Sequence, residues 1–241
     1  MSKEKLRIHS LRHVDFEDEA NIGAWALENG HSLTWTDLHA GQDLPGLGSL
    51  DWLVIMGGPM NIYQEDRHPF LASEKRFIAE AVAKGKGVLG ICLGAQLLSD
   101  VLGGAVTRNP YKEIGWLPVE LAPAAAADAA FGALPLTFTA FHWHGDTFAL
   151  PPGATPLASS QGCANQAFCF RGKAWGLQFH LETSNASMDR LIANCADDIT
   201  EGPYVQPPEV MRAKAVQHLP AMETHMAAML RAMAAAIGET A

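Results

Sequence analysis

The amino-acid sequence predicts an α/β fold in which a mostly parallel central sheet carries helices on both faces. Two observations lead to this prediction. In the first half of the chain, short apolar runs alternate with amphipathic segments of helical period. The apolar runs are also continuous, as is typical of strands that are buried on both faces of a parallel sheet.

The predicted elements of the first half alternate between strand and helix. A glycine follows each predicted helix, at Gly30, Gly85 and Gly103, where a residue of left-handed conformation commonly ends a helix. The run at 51–56, DWLVIM, is a buried strand that leads into a Gly-Gly-Pro turn. Strands are predicted at 6–10, 32–38, 51–56 and 87–91, and helices at 17–29, 70–84 and 95–102.

The second half of the chain favours shorter strands joined by turns. From about residue 208 to 237, Ala and Met recur at helical spacing, which predicts one or two packing helices. No linker or internal repeat is visible, so we expect one domain over residues 1–241, with a core of about 5–200 and a helical tail of about 208–238. Strands that extend the sheet in mixed or antiparallel fashion are predicted at 116–121, 136–141, 155–159, 166–171 and 174–179.

Composition and charge argue against several classes of function. The 241 residues include 17 Lys and Arg and 26 Asp and Glu, which gives a formal net charge of −9. An acidic chain without a basic run is a poor candidate for binding nucleic acid or an anionic membrane. No window approaches the roughly 20 apolar residues of a membrane span, and no signal peptide is visible. We therefore expect a cytoplasmic protein with reduced thiols.

The stretch 87–96, GVLGICLGAQ, places a cysteine at the turn between a predicted strand and a predicted helix. A nucleophile at such a turn has a strained backbone, and Gly90 and Gly94 leave free the space that larger side chains would fill. The N-terminus of the following helix favours a thiolate at Cys92. The pattern indicates a nucleophilic cysteine, although GxCxG alone also fits a buried structural cysteine.

A thiolate that attacks an acyl group needs a base, a group that orients the base, and donors for the oxyanion. In LQFHLE, His180 and Glu182 are two residues apart and can share one side of an extended chain. Gly57 and Gly58 of the MGGPM turn let backbone N–H groups approach a ligand, and the amide of Leu93 is a second donor. Taken singly, these signals also fit an ordinary surface pair and an ordinary turn.

The motifs GGP, GICLGAQ and FHLE occur in this order and together resemble the class I glutamine amidotransferases, whose catalytic triad is Cys, His and Glu. The resemblance is closest to stand-alone members related to the glutaminase portion of GMP synthase, and it covers most of the chain. It implies a single flavodoxin-like domain. Four other segments of this chain resemble further signatures of that subgroup. They are KEIGW at 112–116, HWHGDTF at 142–148, the segment 165–168 and the region from His13 to Glu17.

The resemblance also implies roles for individual residues. Cys92 corresponds to the nucleophile, His180 to the base and Glu182 to the group that orients the base. Gly58 and Leu93 correspond to the residues whose backbone amides form the oxyanion hole. The substrate-binding positions that the resemblance implies are Gly57, Gln96, Trp143 and His144.

Two residues depart from the family pattern. Leu181 stands where the family usually has Pro, and extended backbone suits both residues. Trp143 replaces a small residue beside the substrate, so we expect a reshaped pocket. His142 and His144 also form a candidate metal pair on one strand, but the sequence shows no third ligand at convincing spacing. We therefore expect no metal, a satisfied structural His142, and a His144 that lines the pocket.

The resemblance implies hydrolysis of the glutamine side-chain amide through a γ-glutamyl thioester on Cys92, without a metal or organic cofactor. Family members pass the ammonia to a synthase, yet the sequence has no phosphate loop of the GxxxxGK[ST] or SGGxDS type. Three interpretations stay open. They are a glutaminase subunit with a separate synthase partner, an independent hydrolase of γ-glutamyl peptides or amides, and a non-catalytic regulatory binding module. The Cys–His–Glu set argues against the third.

Overall fold

A mixed sheet of nine strands forms the centre of residues 5–238, the part of the chain that this computed structural model describes. Most strands lie within a few residues of their predicted bounds, and the continuous apolar runs WLVI and GVLGI form β3 and β4 as predicted. In chain order they are β1 (Arg7–Arg12), β2 (Ser32–Asp37), β3 (Trp52–Ile55), β4 (Gly87–Ile91), β5 (Val106–Leu121), β6 (Thr137–Phe148), β7 (Ala154–Ser159), β8 (Ala167–Phe170) and β9 (Ala174–Leu177).

The order across the sheet is β2, β1, β3, β4, β9, β8, β7, β5 and β6. The strands from β2 to β9 in this order pair in parallel, and those from β9 to β6 pair antiparallel. The predicted α/β class, with a parallel half that shorter strands extend, is therefore confirmed. Strand β4 lies between β3 and β9, and all three run in parallel. The turn that follows β4 therefore opens beside the carboxyl ends of both neighbouring strands.

Five helices cover the sheet. Helices α1, α4 and α5 contribute to the apolar core on one face, and α2 and α3 contribute to the core on the other. Along β3, Trp52 and Val54 belong to the first core while Leu53 and Ile55 belong to the second, as the two-residue period of a strand requires. The helices are α1 (Ala20–Glu28), α2 (Phe70–Ala83), α3 (Leu93–Val101), α4 (Asn185–Asn194) and α5 (Pro208–Gly238).

Three features differ from the sequence-based expectation. Strand β5 begins ten residues before the predicted start because a bulge between Arg108 and Glu113 shifts the register and hides the alternating pattern. Strand β6 continues to Phe148 and so includes the whole HWHGDTF segment. Helix α4 was not predicted; its polar sequence carries only a short apolar stripe, and Ser184 caps its N-terminus.

The C-terminal segment forms one long helix, α5, that packs on the sheet through its methionines. Met229 is completely buried on this helix, whereas Val216 is 81% exposed. Among the described residues, no helix combines the length and the apolar character that a membrane crossing requires.

We predict that Met229→Ala lowers the free energy of unfolding by about 2–4 kcal/mol, because the truncation leaves a cavity in the core. Val216→Ala on the same helix is the matched control and should change it by less than about 0.5 kcal/mol. Urea unfolding followed by circular dichroism measures both values. Equal effects of the two substitutions would contradict the burial of the inner face of α5.

Candidate active site

The turn after β4 holds Cys92 in a strained backbone conformation, with φ +50° and ψ −105°. Its N–H donates to the carbonyl oxygen of Leu177 on β9 at 2.7 Å, which ties the turn to the neighbouring strand. A Cβ at Gly90 would lie 2.4 Å from the Gly94 carbonyl oxygen, and one at Gly94 would lie 2.1 Å from the Ile55 carbonyl oxygen. The turn therefore requires glycine at both positions, for the steric reason inferred from the sequence.

His180 and Glu182 are buried next to Cys92, just beyond the end of β9. The His180 Nδ1 lies 2.7 Å from Glu182 Oε1. Because a carboxylate only accepts, Nδ1 carries the proton and Nε2 is left for chemistry on the thiol side. Burial lowers the pKa of His180, but the charge of Glu182 and the neighbouring Cys92 raise it well above 6.5. The structure thus brings together the three residues whose chemistry the sequence indicates.

The Cys92 sulfur has two further polar neighbours. The carbonyl oxygen of Trp143 lies 3.7 Å away, and Gln178 Nε2 lies 3.6 Å away. Gln178 also accepts a hydrogen bond of 3.2 Å from Gln96, the residue expected to contact substrate. Sequence reasoning missed Gln178, although it stands two residues before His180 and shares its side of the extended chain.

A buried ion pair holds the Gly57–Gly58 turn. His13 Nδ1 donates to the Gly57 carbonyl oxygen at 3.0 Å, and Nε2 donates to Glu74 Oε1 at 2.9 Å. Both partners are acceptors, so both ring nitrogens carry a proton. Burial lowers the pKa of His13, but the Glu74 carboxylate and the Gly57 carbonyl raise it above the ordinary 6.5. The charged pair fixes the backbone of the expected oxyanion donor Gly58.

The two expected oxyanion donors are neighbours. A Cβ at Gly58 would lie 3.0 Å from Leu93 Cδ2, so the turn after β3 and the first residue of α3 meet at this point. Gly58 lines the cavity beside Cys92, whereas Gly57 lies behind it and offers its carbonyl to His13.

A cavity of about 140 Å³ opens next to Cys92. Of the expected substrate-binding residues, Gln96, Trp143 and His144 contribute to its wall. Other residues of the wall have no role assigned from the sequence, because strands β5 and β6, helix α4 and separate loops reach the cavity only through the tertiary fold. These are Glu17, Pro59, Met60, Arg108, Lys112, Ile114, Gly145, Asp146, Leu191, Cys195 and Asp198.

The Trp143 indole, the main departure from the family pattern, is anchored by the loop that follows α4. Its Nε1 donates to Asp198 Oδ2 at 3.3 Å. Lys112 Nζ donates to the backbone oxygen of Asp198 at 2.8 Å and lies 3.5 Å from its carboxylate. These contacts hold the loop over one side of the cavity and neutralise the Asp198 charge.

His144 contributes to the cavity wall, and its ring also belongs to a buried hydrogen-bonded cluster. Its Nε2 donates to Glu113 Oε2 at 2.9 Å, and Glu113 also accepts from Ser160 at 2.6 Å and from Gln166 at 2.5 Å. Burial raises the pKa of Glu113, but its interactions with His142 and His144 hold it well below its usual range.

His142 also differs from its expected role as a satisfied histidine. Its Nδ1 lies 3.6 Å from Glu113 Oε2, longer than a hydrogen bond, and neither ring nitrogen has a hydrogen-bond partner among the described residues. Donor atoms of Glu113, His144 and Cys163 lie within 4.8 Å of one another. The tertiary structure therefore brings candidate ligands to the histidine pair from distant segments, but Glu113 and His144 already bond to each other. The absence of a metal stays a prediction.

Comparison with known proteins places this chain in a family. The family model described as glutamine amidotransferase class-I matches residues 23–199. A glutamine amidotransferase-like protein of Salmonella typhimurium, YfeJ, is 32% identical over 200 residues, which cover 81% of this chain and 84% of that protein. A crystal structure of a glutamine amidotransferase from Thermotoga maritima is 33% identical with a TM-score of 0.88, and the match covers 96% of this chain and 99% of that one.

The GMP synthase of Thermomicrobium roseum is 37% identical over 141 residues, 58% of this chain. The match spans only 25% of the length of that enzyme, so it concerns one part of a larger protein.

The His13–Glu74 pair predicts a pH-dependent stability difference. A histidine whose pKa is raised on folding contributes stability that is present below its unfolded value and lost as the pH rises through the folded value. The free energy of unfolding of the native protein should therefore exceed that of His13→Gln by more at about pH 5.5 than at about pH 9. Urea titrations at both pH values measure this difference. Glu74→Gln should remove the same component, and a pH-independent difference would contradict the charged pair.

The four cysteines should differ in their reactivity toward iodoacetamide at neutral pH. Burial raises the pKa of the Cys163 and Cys169 thiols, and burial with nearby negative charge raises that of Cys195 to about 12. Cys92 instead lies at the N-terminus of α3, beside the proposed base His180, and lines the cavity. Peptide mass spectrometry after brief treatment should find Cys92 alkylated first. Faster alkylation of Cys195 would contradict this order.

Proposed function

The chain belongs to the class I glutamine amidotransferase family, and on that premise we propose that it hydrolyses the side-chain amide of glutamine to glutamate and ammonia. The observation that carries the proposal is the strained turn that presents Cys92 beside the buried His180–Glu182 pair at a cavity. A structural cysteine would need neither the strain nor the pair.

Acylation begins when glutamine lies in the cavity with its side-chain amide over Cys92. The thiolate attacks the amide carbon, and the N–H groups of Gly58 and Leu93 stabilise the oxyanion that forms. His180, charged by the thiol proton, donates that proton to the departing nitrogen as the C–N bond breaks. Ammonia leaves, and a γ-glutamyl thioester remains on Cys92.

Deacylation returns the enzyme to its starting state. His180 Nε2 takes a proton from a water molecule, which attacks the thioester carbon, and the same two backbone N–H groups stabilise the oxyanion. Collapse breaks the C–S bond, the thiol recovers its proton and glutamate leaves. Glu182 keeps the tautomer of His180 fixed through both steps. This chemistry uses no metal or organic cofactor.

In this proposal, the wall of the cavity opposite His180 binds the α-amino and α-carboxylate groups of glutamine. Gln96 and the backbone of Trp143 and His144 contact the α-amino and carboxylate ends of the substrate. The anchored Trp143 indole narrows the pocket on that side. The pocket therefore holds a glutamyl group but leaves no room for a larger acyl side chain.

The fate of the ammonia divides the proposal into two forms. The relatives named GMP synthase [glutamine-hydrolyzing] carry the matching segment within a longer protein, so a separate synthase subunit is one proposed partner for this chain. An independent hydrolase of γ-glutamyl peptides or amides is the alternative, and a non-catalytic binding module is the third. The chemical completeness of the Cys–His–Glu set favours either of the first two over the third.

Cys92→Ala should lower the rate of release of glutamate and ammonia from glutamine by at least about a thousandfold, because no other nucleophile lies at the turn. The purified protein, without any partner, is assayed for both products. Cys169→Ala, on β8 and away from the cavity, is the matched control and should retain activity. Equal activity of Cys92→Ala and the native protein would remove the proposed function.

A further inference from the structure

A carboxylate without a hydrogen-bond donor faces the catalytic histidine. A Cβ built on Gly57 would lie 2.1 Å from Glu17 Oε2 and 3.3 Å from His180 Cε1, so the Glu17 carboxylate and the imidazole approach each other across the bare glycine. Within residues 5–238, no hydrogen bond or lysine or arginine ion pair reaches this carboxylate; its charged neighbours are His180, Glu182 and His13. Glu17 nevertheless lines the cavity with Cys92.

The position of Glu17 places it on the leaving-group side of the reaction. His180 must reach the departing nitrogen to protonate it, and Glu182 already occupies Nδ1, so the nitrogen leaves next to Nε2. Groups that adjoin the His180 ring therefore adjoin the departing amine. In the proposed binding mode, the glutamyl part lies toward Gln96 and Trp143, which also line the cavity.

The charges on this side favour a cation. With the thiolate and the imidazolium formed, Cys92 and His180 cancel, while Glu182 and Glu17 leave a negative surplus. His13 does not offset it, because Glu74 already neutralises that ring at 2.9 Å. The Cys195 thiol reports the same field: burial and then the charges of Glu17, Asp198 and Cys92 raise its pKa to about 12. Two cationic side chains line the cavity, and each has an acidic neighbour: Lys112 pairs with Asp198, and Arg108, which is 73% exposed, lies 3.9 Å from Asp146.

Loss of water destabilises the charged Glu17 carboxylate when no ligand is bound. Glu17 is partly buried, and this burial raises its pKa against the opposing charge of His180, because the charged form has lost part of its water without gaining a hydrogen-bond donor. An ammonium group next to it would restore the lost interaction, whereas a carboxylate there would meet both repulsion and a second desolvation cost. The empty partner position thus has the chemistry of a cation-binding subsite.

We propose that Glu17 forms the leaving-group subsite and selects γ-glutamyl amides whose departing amine carries a positive charge, such as the monoamides of diamines. This inference rests on the proposed amide hydrolysis and names its substrate class. The bonds change as with glutamine: the C–N bond breaks, a proton from His180 passes to the nitrogen, and the free diamine replaces ammonia. Peptides fit less well, because their leaving group ends in a carboxylate.

The inference is tested with three amides of similar size and one glutamyl group. These are the γ-glutamyl monoamide of ethylenediamine, γ-glutamyl propylamide and γ-glutamylglycine, whose leaving groups are cationic, neutral and anionic. We expect kcat/KM of the native protein to fall in that order, by at least about tenfold between the first and the last. Glu17→Gln, a nearly isosteric change, should reduce that ratio by about tenfold or more, through a higher KM for the cationic amide.

Asp15→Asn is the matched control. It removes one acidic charge two residues away, where the Asp15 side chain is 92% exposed and pairs with His39 outside the cavity, and it should leave the ratio unchanged. If Glu17 acts only through His180, Glu17→Gln will change kcat for all three amides by one factor, and the subsite proposal fails. A native preference for γ-glutamylglycine, or no cleavage of the cationic amide beside good turnover of glutamine, also overturns it.

Failure of the proposed function is distinguishable from failure of the subsite. Without Cys92-dependent cleavage of glutamine or of any of the three amides, the amide hydrolysis itself is wrong. Cleavage that Cys92→Ala abolishes, together with a charge ratio that Glu17→Gln leaves unchanged, keeps the hydrolysis and removes only the role of Glu17.

Discussion

The left-handed backbone at Cys92 is the constraint on which the rest of this site depends. A residue with a Cβ is costly at φ +50°, so the surrounding structure must hold it there. The hydrogen bond from its N–H to Leu177 and the close approach of Gly90 and Gly94 to their neighbours do this. Because β4 lies between β3 and β9, the same turn brings the sulfur to the ends of both neighbouring strands.

Three buried histidine–carboxylate pairs surround this turn, and each has a different consequence. His180–Glu182 prepares a base, His13–Glu74 holds the Gly57–Gly58 turn, and His144–Glu113 supports the strand that carries Trp143. In a low-dielectric interior, such pairs hold tautomers and backbone positions firmly, because breaking one leaves a charge without a partner. Glu17 is the contrast: its carboxylate enters the same region without a donor, and a ligand is the natural partner.

The fold and the centre of the site were predictable because their signals are local. Apolar runs of strand length at β3 and β4, and helical periodicity in α2, are set by neighbours within a few residues. The signals failed where distant contacts decide the structure. The bulge in β5 broke its alternation, and the capped but weakly apolar α4 gained its stability from packing. The partner of the His144 ring, Glu113, lies 31 residues earlier in the chain, so the local pattern could not indicate this contact.

The sequence by itself determined the α/β class, through the alternation of strand and helix periods along its first half. Spacing within one segment also placed the glycines beside Cys92, and His180 two residues from Glu182. Only the tertiary structure decided what surrounds the thiol. Gln178, Asp198 and Glu17 reach the cavity because strand order and loop packing bring separate segments to one edge of the sheet. The residues that present the reactive thiol lie within a few positions of one another in the sequence. The electrostatic field around a leaving group is instead the sum of charges from separate segments, and only folding brings these together.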